Sequence, residues 1–491
     1  MNILFIKSSI GSSLLPSFDM GIASMSAILK RNGHRVNYFS YDSWEASKAL
    51  FTRINLFNPL VVGLSVTAST FNSAVKVAKQ IKMKFPKITI IMGGVHPTIF
   101  PECIYVSQSI DAICLGEGEY VLLDFIRNLK KNDGSHVKTI GFWVRNKRNK
   151  IIKNPTPTTL IDVNTLPIPD RSIFLDESIL KFPREYYHNR FGLEFIFSRG
   201  CPFECTYCSN HALKKFYGPR FVRFKSPRQA IKEIRYVMKH YRYDYFRFHD
   251  DTFTVNSRWL SAFLNEYSKI KVPFQCNIRA DLCNKELFKK MKNVGCEEVL
   301  IGVESGDDEI RMKMLNKRIS TSVFKQAFSW AKEVGLKTTA FVLIGLPDET
   351  PKKFINTIKF LSEVEADELF LYVYYPYPGT KLYSYCLSKG YLNTNSNQIN
   401  VLERKDTILT MPEFSRQDIL YYYNNFSYLV DLAKNIKNRK KKLGKVYNRL
   451  IFFLATQPPS SKSYLLSKAV LKFIDLVIPT AIFSISLVLK V

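Results

Sequence analysis

The chain has few cysteines for its length and little uninterrupted apolar sequence. Nine cysteines among 491 residues are too sparse for a disulfide framework, which excludes the small secreted scaffolds that depend on one. The apolar stretch at residues 473–489 is interrupted by Asp475 and Pro479, and it is shorter than the roughly 20 residues that a membrane-spanning helix needs. Residues 1–7 form a short strand pattern with no cleavage site after it, so we expect a reducing, cytoplasmic location.

Acidic residues are also scarce, with 42 against 71 basic residues and a formal net charge of +29. Chains this basic often bind nucleic acid or an anionic membrane. No nucleic-acid-binding motif accompanies the charge, and lysine is abundant along with isoleucine, asparagine, phenylalanine and tyrosine. This pattern indicates a general compositional bias, so we expect solvated surface charge and no nucleic-acid partner.

The first part of the chain alternates apolar strands with amphipathic helices, which predicts a doubly wound, Rossmann-like parallel sheet in a domain at residues 1–145. Ligands of such sheets bind beyond the carboxyl ends of the strands. The residues found there are our candidates for a binding site: Ser65, Thr67, Gly93 and Gly94. The hydroxyls can donate hydrogen bonds, and the glycines let a ligand approach the backbone.

A basic, proline-containing stretch at residues 146–190 predicts an extended linker. Strands and helices then alternate again through about residue 400. Six βα units predict a partial or full parallel barrel, whose active site belongs at the carboxyl ends of the strands. The predicted strands lie at 193–198, 245–249, 273–278, 298–303, 338–344 and 368–374.

Three cysteines follow the first of these strands: Cys201, Cys205 and Cys208, in the run Cys-Pro-Phe-Glu-Cys-Thr-Tyr-Cys. A structural zinc site needs four ligands, and a cubane electron carrier has a thiolate on every iron. Three thiolates in one loop would hold a 4Fe–4S cluster with one iron open to a substrate. Two alternatives remain, namely a chance group of buried cysteines and a Cys3His zinc site completed by His211.

The CxxxCxxC loop resembles the signature of the radical S-adenosylmethionine (radical SAM) enzymes, and residues 191–385 resemble their barrel core. Residues 1–130 resemble the cobalamin-binding domain that is often fused before it. The chain is therefore similar to the cobalamin-dependent class that includes the anaerobic magnesium-protoporphyrin cyclase and many radical methyltransferases. The resemblance implies a 4Fe–4S cluster on the three cysteines, S-adenosylmethionine, cobalamin, and a low-potential electron donor of the flavodoxin or ferredoxin type.

The resemblance also implies residues that bind S-adenosylmethionine near the cluster. Tyr207 matches the aromatic residue beside the adenine. Asp250 and Asp251 match the position that holds the amino group of the cofactor. Adjacent acids at a strand end could also simply cap the following turn.

Further matches lie after the later barrel strands. Arg279 follows the third strand, Glu304 resembles the acceptor for the ribose hydroxyls, and Gly345 resembles the turn beside the adenine. Arg318 matches a basic residue that binds the cofactor carboxylate in related enzymes. Its neighbour Lys317 leaves that choice open, and a solvated cation at a helix end is the alternative.

The N-terminal domain lacks the Asp-x-His-x-x-Gly motif whose histidine ligates cobalt in many cobalamin domains. The relevant enzymes often lack it, so the resemblance implies that the nucleotide tail of cobalamin is held by Ser65, Thr67, Gly93 and Gly94. A domain that only packs or docks substrate is the alternative. We expect His96 to be a loop histidine and not a cobalt ligand.

The leading hypothesis is an enzyme that cleaves S-adenosylmethionine reductively and methylates an unactivated carbon of a small, hydrophobic substrate. Radical cyclisation or rearrangement is the alternative within the class. A methylthiotransferase acting on tRNA would explain the charge, but the N-terminal domain contains only Cys103 and Cys114 where such enzymes carry three cluster cysteines. The non-enzyme alternative is a zinc-stabilised binding protein.

Residues 401–491 predict a mainly helical, basic and apolar C-terminal region. Its aromatic stripe around Tyr421, Tyr422 and Phe426 predicts core packing. The basic run from Lys434 to Arg449, beside the apolar stretch at 473–489, favours peripheral association with an anionic membrane. A spanning helix and plain packing are the alternatives.

Overall fold

A computed structural model describes residues 1–10, 18–157, 159–174, 190–218, 221–392, 403–438 and 442–477. The chain divides into two compact units. The first contains residues 1–274 and 377–383, and the second contains residues 275–376 and those from 384 onward.

The first unit begins with a seven-stranded sheet. Its strands are β1 (Asn2–Ser8), β2 (Arg35–Tyr41), β3 (Val61–Ser65), β4 (Thr89–Gly93), β5 (Ala112–Cys114), β6 (Phe142–Arg145) and β7 (Ile151–Lys153). They lie in the order β2-β1-β3-β4-β5-β6-β7, and β1 to β5 are parallel, which confirms the predicted doubly wound sheet. The antiparallel hairpin β6–β7 was not predicted, and it extends past residue 145, the predicted end of the domain.

Helices cover both faces of this sheet. They are α1 (Met20–Arg31), α2 (Ser47–Phe57), α3 (Phe71–Lys84), α4 (Val95–Ile99) and α5 (Gly118–Lys131). Ile3 and Phe5 of β1 belong to a core with α1 and α5, whereas Leu4 and Ile6 belong to a core with α2 and α3. This alternation follows from the two-residue period of a strand that is buried on both faces.

The remaining strands are β8 (Gly192–Phe195), β9 (Ser198–Arg199), β10 (Arg223–Phe224), β11 (Tyr245–Phe248), β12 (Phe274–Ile278), β13 (Cys296–Glu304), β14 (Lys337–Ile344) and β15 (Glu368–Val373). The short strands β9 and β10 form an antiparallel pair. The other six form one sheet in the order β15-β14-β13-β12-β11-β8. The six predicted barrel strands are thus confirmed, and the first of them ends earlier than expected, at Phe195.

Helices follow these strands: α6 (Ser209–Tyr217), α7 (Pro227–His240), α8 (Ser257–Tyr267), α9 (Lys285–Asn293), α10 (Thr321–Glu333), α11 (Pro351–Val364) and α12 (Lys381–Ser388). Five of them begin after a side chain that accepts a hydrogen bond from the first turn, which satisfies a backbone donor that the helix itself cannot pair. The capping residues are Ser226, Asn256, Asn284, Ser320 and Thr350.

The C-terminal region is helical, as predicted, with α13 (Arg416–Asn424), α14 (Phe426–Asn438), α15 (Lys442–Ala455) and α16 (Tyr464–Val477). Tyr421 and Tyr422 are buried, and their hydroxyls donate to the carbonyls of Ala455 and Thr456 at 2.5 and 2.6 Å. The aromatic stripe therefore packs in a core, as expected.

Much of the predicted membrane-binding sequence lies outside the described part of the chain. Residues 478–491 are not described, and the side chains at 437–448 are not described either. Within the described ranges, no helix combines the length and apolar character that a membrane crossing requires.

Gly306 is a close-approach position in the second unit. A methyl group added there would lie 2.7 Å from Thr357 Cα and from Phe360 Cβ, so α11 would have to move. We expect Gly306→Ala to destabilise the unit by about 1–3 kcal/mol, measured as a lower thermal unfolding midpoint. Gly93→Ala is the control, since its methyl would meet Cys114 Cβ at an ordinary 3.6 Å. Equal midpoints for the two variants would contradict this packing.

Candidate cofactor sites

The loop with the three cysteines lies between β9 and α6 in the first unit. All three are free cysteines, and Cys205 is the most deeply buried of them. Cys201 Sγ lies 3.8 Å from Thr252 Oγ1, and Asn210 Nδ2 donates to Cys208 Sγ at 3.7 Å. In the described ranges, no three His, Cys, Asp or Glu side chains are gathered as ligands of one metal ion.

Burial governs the acidity of these thiols. It raises the pKa of Cys208 to about 12 and raises the pKa of Cys201, with the nearby Asp251 carboxylate acting in the same direction. A thiolate here therefore needs a cation beside it, because the loop stabilises the neutral thiol. Iron ions of a cluster would supply that charge, so the donor set fits the predicted group.

His211 holds the loop in place. Its Nδ1 donates to the Cys205 carbonyl at 2.9 Å, and its Nε2 accepts from the Lys381 backbone N–H at 3.0 Å. The Leu382 N–H donates to the Thr206 carbonyl at 3.0 Å, so the start of α12 is anchored on the same loop. Burial lowers the pKa of His211, as expected for a neutral ring. Because both ring nitrogens are engaged, this arrangement disfavours His211 as a zinc ligand.

The two predicted acids after β11 have different surroundings. Asp250 Oδ1 accepts from the Phe197 N–H at 3.0 Å and the Ser198 N–H at 2.6 Å, and also from the Ser198 hydroxyl. Burial raises the pKa of Asp250 to about 6 against these hydrogen bonds. These contacts make Asp250 a support for the backbone that leads into the cysteine loop. Asp251 is hydrogen-bonded by Asn210, the residue that also contacts Cys208.

In the second unit, Glu304 ends β13 with a left-handed backbone, φ 64°, at a register shift of the strand. Its carboxylate forms a buried ion pair with Lys317 at 2.9 Å. Gly302 makes room for this pair, because a methyl group there would lie 2.4 Å from Glu304 Oε1. Arg318, the predicted cation, is exposed and contacts Asn316 at 3.0 Å. The structure therefore brings Lys317, and not Arg318, to Glu304.

Two other predicted residues of this unit are also held by neighbouring acids. Arg279 donates two hydrogen bonds to Asp281, at 3.1 and 3.0 Å. Gly345, with φ 76°, and Leu346 donate their backbone N–H groups to Glu349 Oε2 at 2.8 and 3.2 Å. Burial raises the pKa of Glu349 to about 8. Glu349 was not assigned from the sequence, and this contact was missed.

The predicted cobalamin-binding residues converge on one cavity of about 410 Å³ at the carboxyl ends of β1, β3, β4 and β5. Ser65, Thr67, Gly93 and Gly94 all line it. Most of the other lining residues are apolar, which suits the flat ring of a nucleotide base.

Glycines occupy positions in the wall of this cavity where a side chain would collide with a neighbouring residue. At Gly94, with φ 105°, an added methyl would lie 2.8 Å from the Val66 carbonyl. At Gly118 it would lie 2.6 Å from Met25 Sδ. The cavity thus fits the tail of the predicted cofactor.

Acidic and basic residues that the sequence analysis did not assign also line the cavity: Asp19, Glu117, Glu119 and Arg199. Asp19 accepts from Ser65 Oγ at 3.0 Å and pairs with Lys7 at 3.3 Å. A Gly-Glu-Gly-Glu run at a strand end was the only available signal for the two glutamates.

His96 differs from expectation. It lies in the short helix α4 and is buried, with its ring 4.6 Å from Phe71 and 5.7 Å from Phe100. Neither ring nitrogen has a hydrogen-bond partner among the described residues. Burial lowers the pKa of His96 to about 4, so it is a neutral, buried histidine in a short helix and not the loop residue that was predicted.

Comparison with known proteins agrees with this geometry. Residues 195–361 match the radical SAM superfamily, and residues 7–126 match the B12 binding domain. An uncharacterized methyltransferase of Pyrococcus horikoshii is 30% identical over 374 residues, which cover 74% of this chain and 77% of the relative. This chain belongs to the radical SAM superfamily and carries a B12-binding domain, which confirms the predicted family. Its cofactors are a 4Fe–4S cluster, S-adenosylmethionine and cobalamin.

Other relatives include the anaerobic magnesium-protoporphyrin IX monomethyl ester cyclase of Rubrivivax gelatinosus. It is 26% identical over 340 residues, covering 67% of this chain and 59% of the cyclase. Among solved structures, the methyltransferase TsrM of Kitasatospora setae has a TM-score of 0.64 at 13% identity, covering 82% of this chain and 81% of TsrM. The cobalamin-dependent enzyme OxsB has a TM-score of 0.66 at 17% identity, covering 96% and 75%. These structures support the fold.

A 4Fe–4S cluster on the three cysteines and a zinc site completed by His211 predict different metal contents. Anaerobically reconstituted protein should contain about four iron and four sulfide per chain. Cys201→Ala, Cys205→Ala and Cys208→Ala should each lose most of this iron, whereas His211→Gln should retain it. Iron, sulfide and zinc analysis checks this. About one zinc per chain, lost in His211→Gln, would support the zinc alternative instead.

Glu349 predicts a pH dependence of stability. Its pKa is raised in the folded chain, to about 8, so its stabilising effect is present at acidic pH and is lost as the pH rises through about 8. We expect the unfolding midpoint of the wild type to fall between about pH 5 and 9, and Glu349→Gln to flatten this fall. The control is the surface variant Glu363→Gln on α11, the helix that begins just after Glu349. Identical pH profiles for Glu349→Gln and wild type would contradict the prediction.

Proposed function

We propose that this chain transfers a methyl group to an unactivated carbon of a small, hydrophobic molecule. The observation that carries the proposal is the presence, in one compact unit, of a three-thiol loop and a glycine-lined cavity on a B12-binding domain. When bound, the cluster supplies the electron that cleaves the sulfonium of S-adenosylmethionine, and cobalamin supplies a methyl carrier. The protein contributes binding, orientation and exclusion of water.

We propose Cys201, Cys205 and Cys208 as the ligands of the cluster. Asp250 fixes the backbone before the loop, and Asp251, with Tyr207, is the candidate contact for S-adenosylmethionine in this unit. In the second unit we retain Arg279, Glu304 and Gly345 for the same cofactor. Lys317 is added to this set in place of Arg318, because Lys317 is the one of the two cations that lies beside Glu304.

Ser65, Thr67, Gly93 and Gly94 are proposed to hold the nucleotide tail of cobalamin. The cavity that they line is apolar over most of its wall, and Ser65 and Thr67 supply hydroxyls at its rim. Its volume of about 410 Å³ is in the range of small-molecule sites. The proposed domains are a cobalamin-binding domain predicted at 1–145 and extended by β7 to 153, a linker from there to 190, the radical SAM core at 191–400 and a helical region at 401–491.

Ring formation is the second candidate reaction, favoured by the similarity to the magnesium-protoporphyrin cyclases. Methyl transfer is favoured by the more similar Pyrococcus methyltransferase. Both reactions begin with the same reductive cleavage.

A low-potential flavodoxin or ferredoxin is proposed as electron donor, and the basic C-terminal region is proposed to contact an anionic membrane from the cytoplasmic side.

A variant that fills the cavity tests the proposal. Ser65→Leu places a larger side chain at the rim, and we expect at least about tenfold weaker binding of hydroxocobalamin with unchanged iron content. Thr89→Leu is the matched control, because Thr89 lies at the opposite end of the sheet, on β4. Absorbance titration measures the affinity, and 5′-deoxyadenosine release measures cleavage of S-adenosylmethionine. Wild-type protein that forms 5′-deoxyadenosine but never binds cobalamin would end the methyltransferase proposal.

A further inference from the structure

The cysteine loop is closed at its base by the antiparallel pair β9–β10, and each strand carries an arginine. Arg199 on β9 lies directly opposite Arg223 on β10. Like charges in directly opposite positions destabilise a strand pair unless an anion lies beside both. The two arginines therefore need an acidic partner for the loop to close.

Glu117 from the N-terminal sheet is that partner. Its Oε1 lies 2.9 Å from Arg199 Nη1 and 2.5 Å from Arg223 Nη2, and its Oε2 accepts from Arg223 Nη1 at 3.0 Å. Arg199 also pairs with Glu119, which accepts from Ser24 Oγ at 2.8 Å. We call Glu117, Glu119, Arg199 and Arg223 the Glu117 clamp.

The clamp is mostly shielded from solvent and electrically neutral. The side chains of Glu117, Glu119 and Arg223 are 12%, 4% and 14% exposed, and that of Arg199 is 26% exposed. Burial acts to raise the pKa of Glu117. The hydrogen bonds from Arg223 and the charge of Arg199 outweigh burial and hold this pKa below its usual range. Both carboxylates and both guanidiniums are thus matched within one site.

The clamp also forms part of the wall of the cobalamin cavity. Glu117, Glu119 and Arg199 line it together with Ser65 and Gly93. The same side chains therefore touch the cavity and hold the base of the cysteine loop.

The end of the loop segment packs against the same strand-end turn. Gly116 has φ 84°, and a methyl group there would lie 2.8 Å from the hydroxyl of Tyr217, the last residue of α6. Arg199, Tyr217 and Arg223 thus all lie against the Gly-Glu-Gly-Glu turn.

Stability alone does not account for this arrangement. Buried ion pairs often contribute little net stability, because desolvation offsets their attraction, and an apolar replacement can be equally stable. Their best-supported role is to fix one register between elements. Here the elements fixed are the strand-end turn that lines the cavity and the loop that carries the cysteines.

We propose that the Glu117 clamp couples the two cofactor sites: cobalamin in the cavity orders the cysteine loop through Glu117 and Arg199, which act as positioning residues. The inference rests on the proposed function, since it requires cobalamin in this cavity. By thermodynamic linkage, an ordered loop must in turn strengthen cobalamin binding by the same factor.

Hydrogen–deuterium exchange of cluster-free protein tests the coupling without any turnover. Adding hydroxocobalamin to the wild type should slow amide exchange in residues 200–218 by about fivefold or more. In Glu117→Gln, which removes the charge but keeps the shape, the slowing should shrink to less than about twofold at saturating cobalamin. Glu117→Asp retains the carboxylate and should restore part of the effect.

Glu233→Gln is the matched control, because Glu233 is a buried glutamate that pairs with Lys225 and does not line the cavity. It should exchange like wild type. Arg199→Lys is a second test, since one ammonium cannot replace the fork that reaches both glutamates, and it should also reduce the slowing.

The outcomes separate the two proposals. If the wild type binds hydroxocobalamin and its loop exchange does not change, or if Glu117→Gln and Arg199→Lys behave as wild type, the clamp proposal is wrong and the proposed function stands. If the wild type binds no cobalamin, the cobalamin-dependent function fails and the coupling fails with it.

Discussion

Desolvation of ionisable side chains is the constraint on which the sites depend. Burial favours the neutral form of Cys208, Asp250 and Glu349, and it keeps His96 uncharged. Charge survives in these surroundings where it is matched, as in the pair of Glu304 with Lys317. Three thiols in such a loop become a metal site only when cations arrive with the cofactor, which links the chemistry of the cluster to the burial of the loop.

The sequence predicted those parts of the fold that rest on local patterns. Continuous apolar runs marked the parallel strands, and α3 likewise follows from a local pattern, since its spacing is amphipathic and Pro86 comes just after its end. The hairpin β6–β7 was missed because both strands are short and β7 lies in the basic stretch that was predicted to be a linker. Helix α2 has a weaker sequence pattern, because only Leu50 and Ile54 of its residues are buried.

The site residues, too, were predicted where a local sequence pattern places them and missed where only tertiary packing does. Residues at strand ends, such as Ser65 and Gly94, meet at one cavity because neighbouring parallel strands end at the same edge. The choice between Lys317 and Arg318 was beyond the sequence, since two adjacent cations look alike there and only tertiary packing brings Lys317 to Glu304. The partners of Arg199 were also beyond it, because they lie about 80 positions away in the chain and meet it only through tertiary packing.

The left-handed backbone at Glu304 has a consequence for how this barrel can vary. A non-glycine residue in that conformation costs about 1–3 kcal/mol, so the strand gives up stability to present a carboxylate there. Glycine at position 304 would relieve this backbone strain, but it would leave the buried ammonium of Lys317 without a counter-charge. Replacing either residue alone therefore leaves the other as a buried charge without its ion-pair partner, so we expect the two positions to change together.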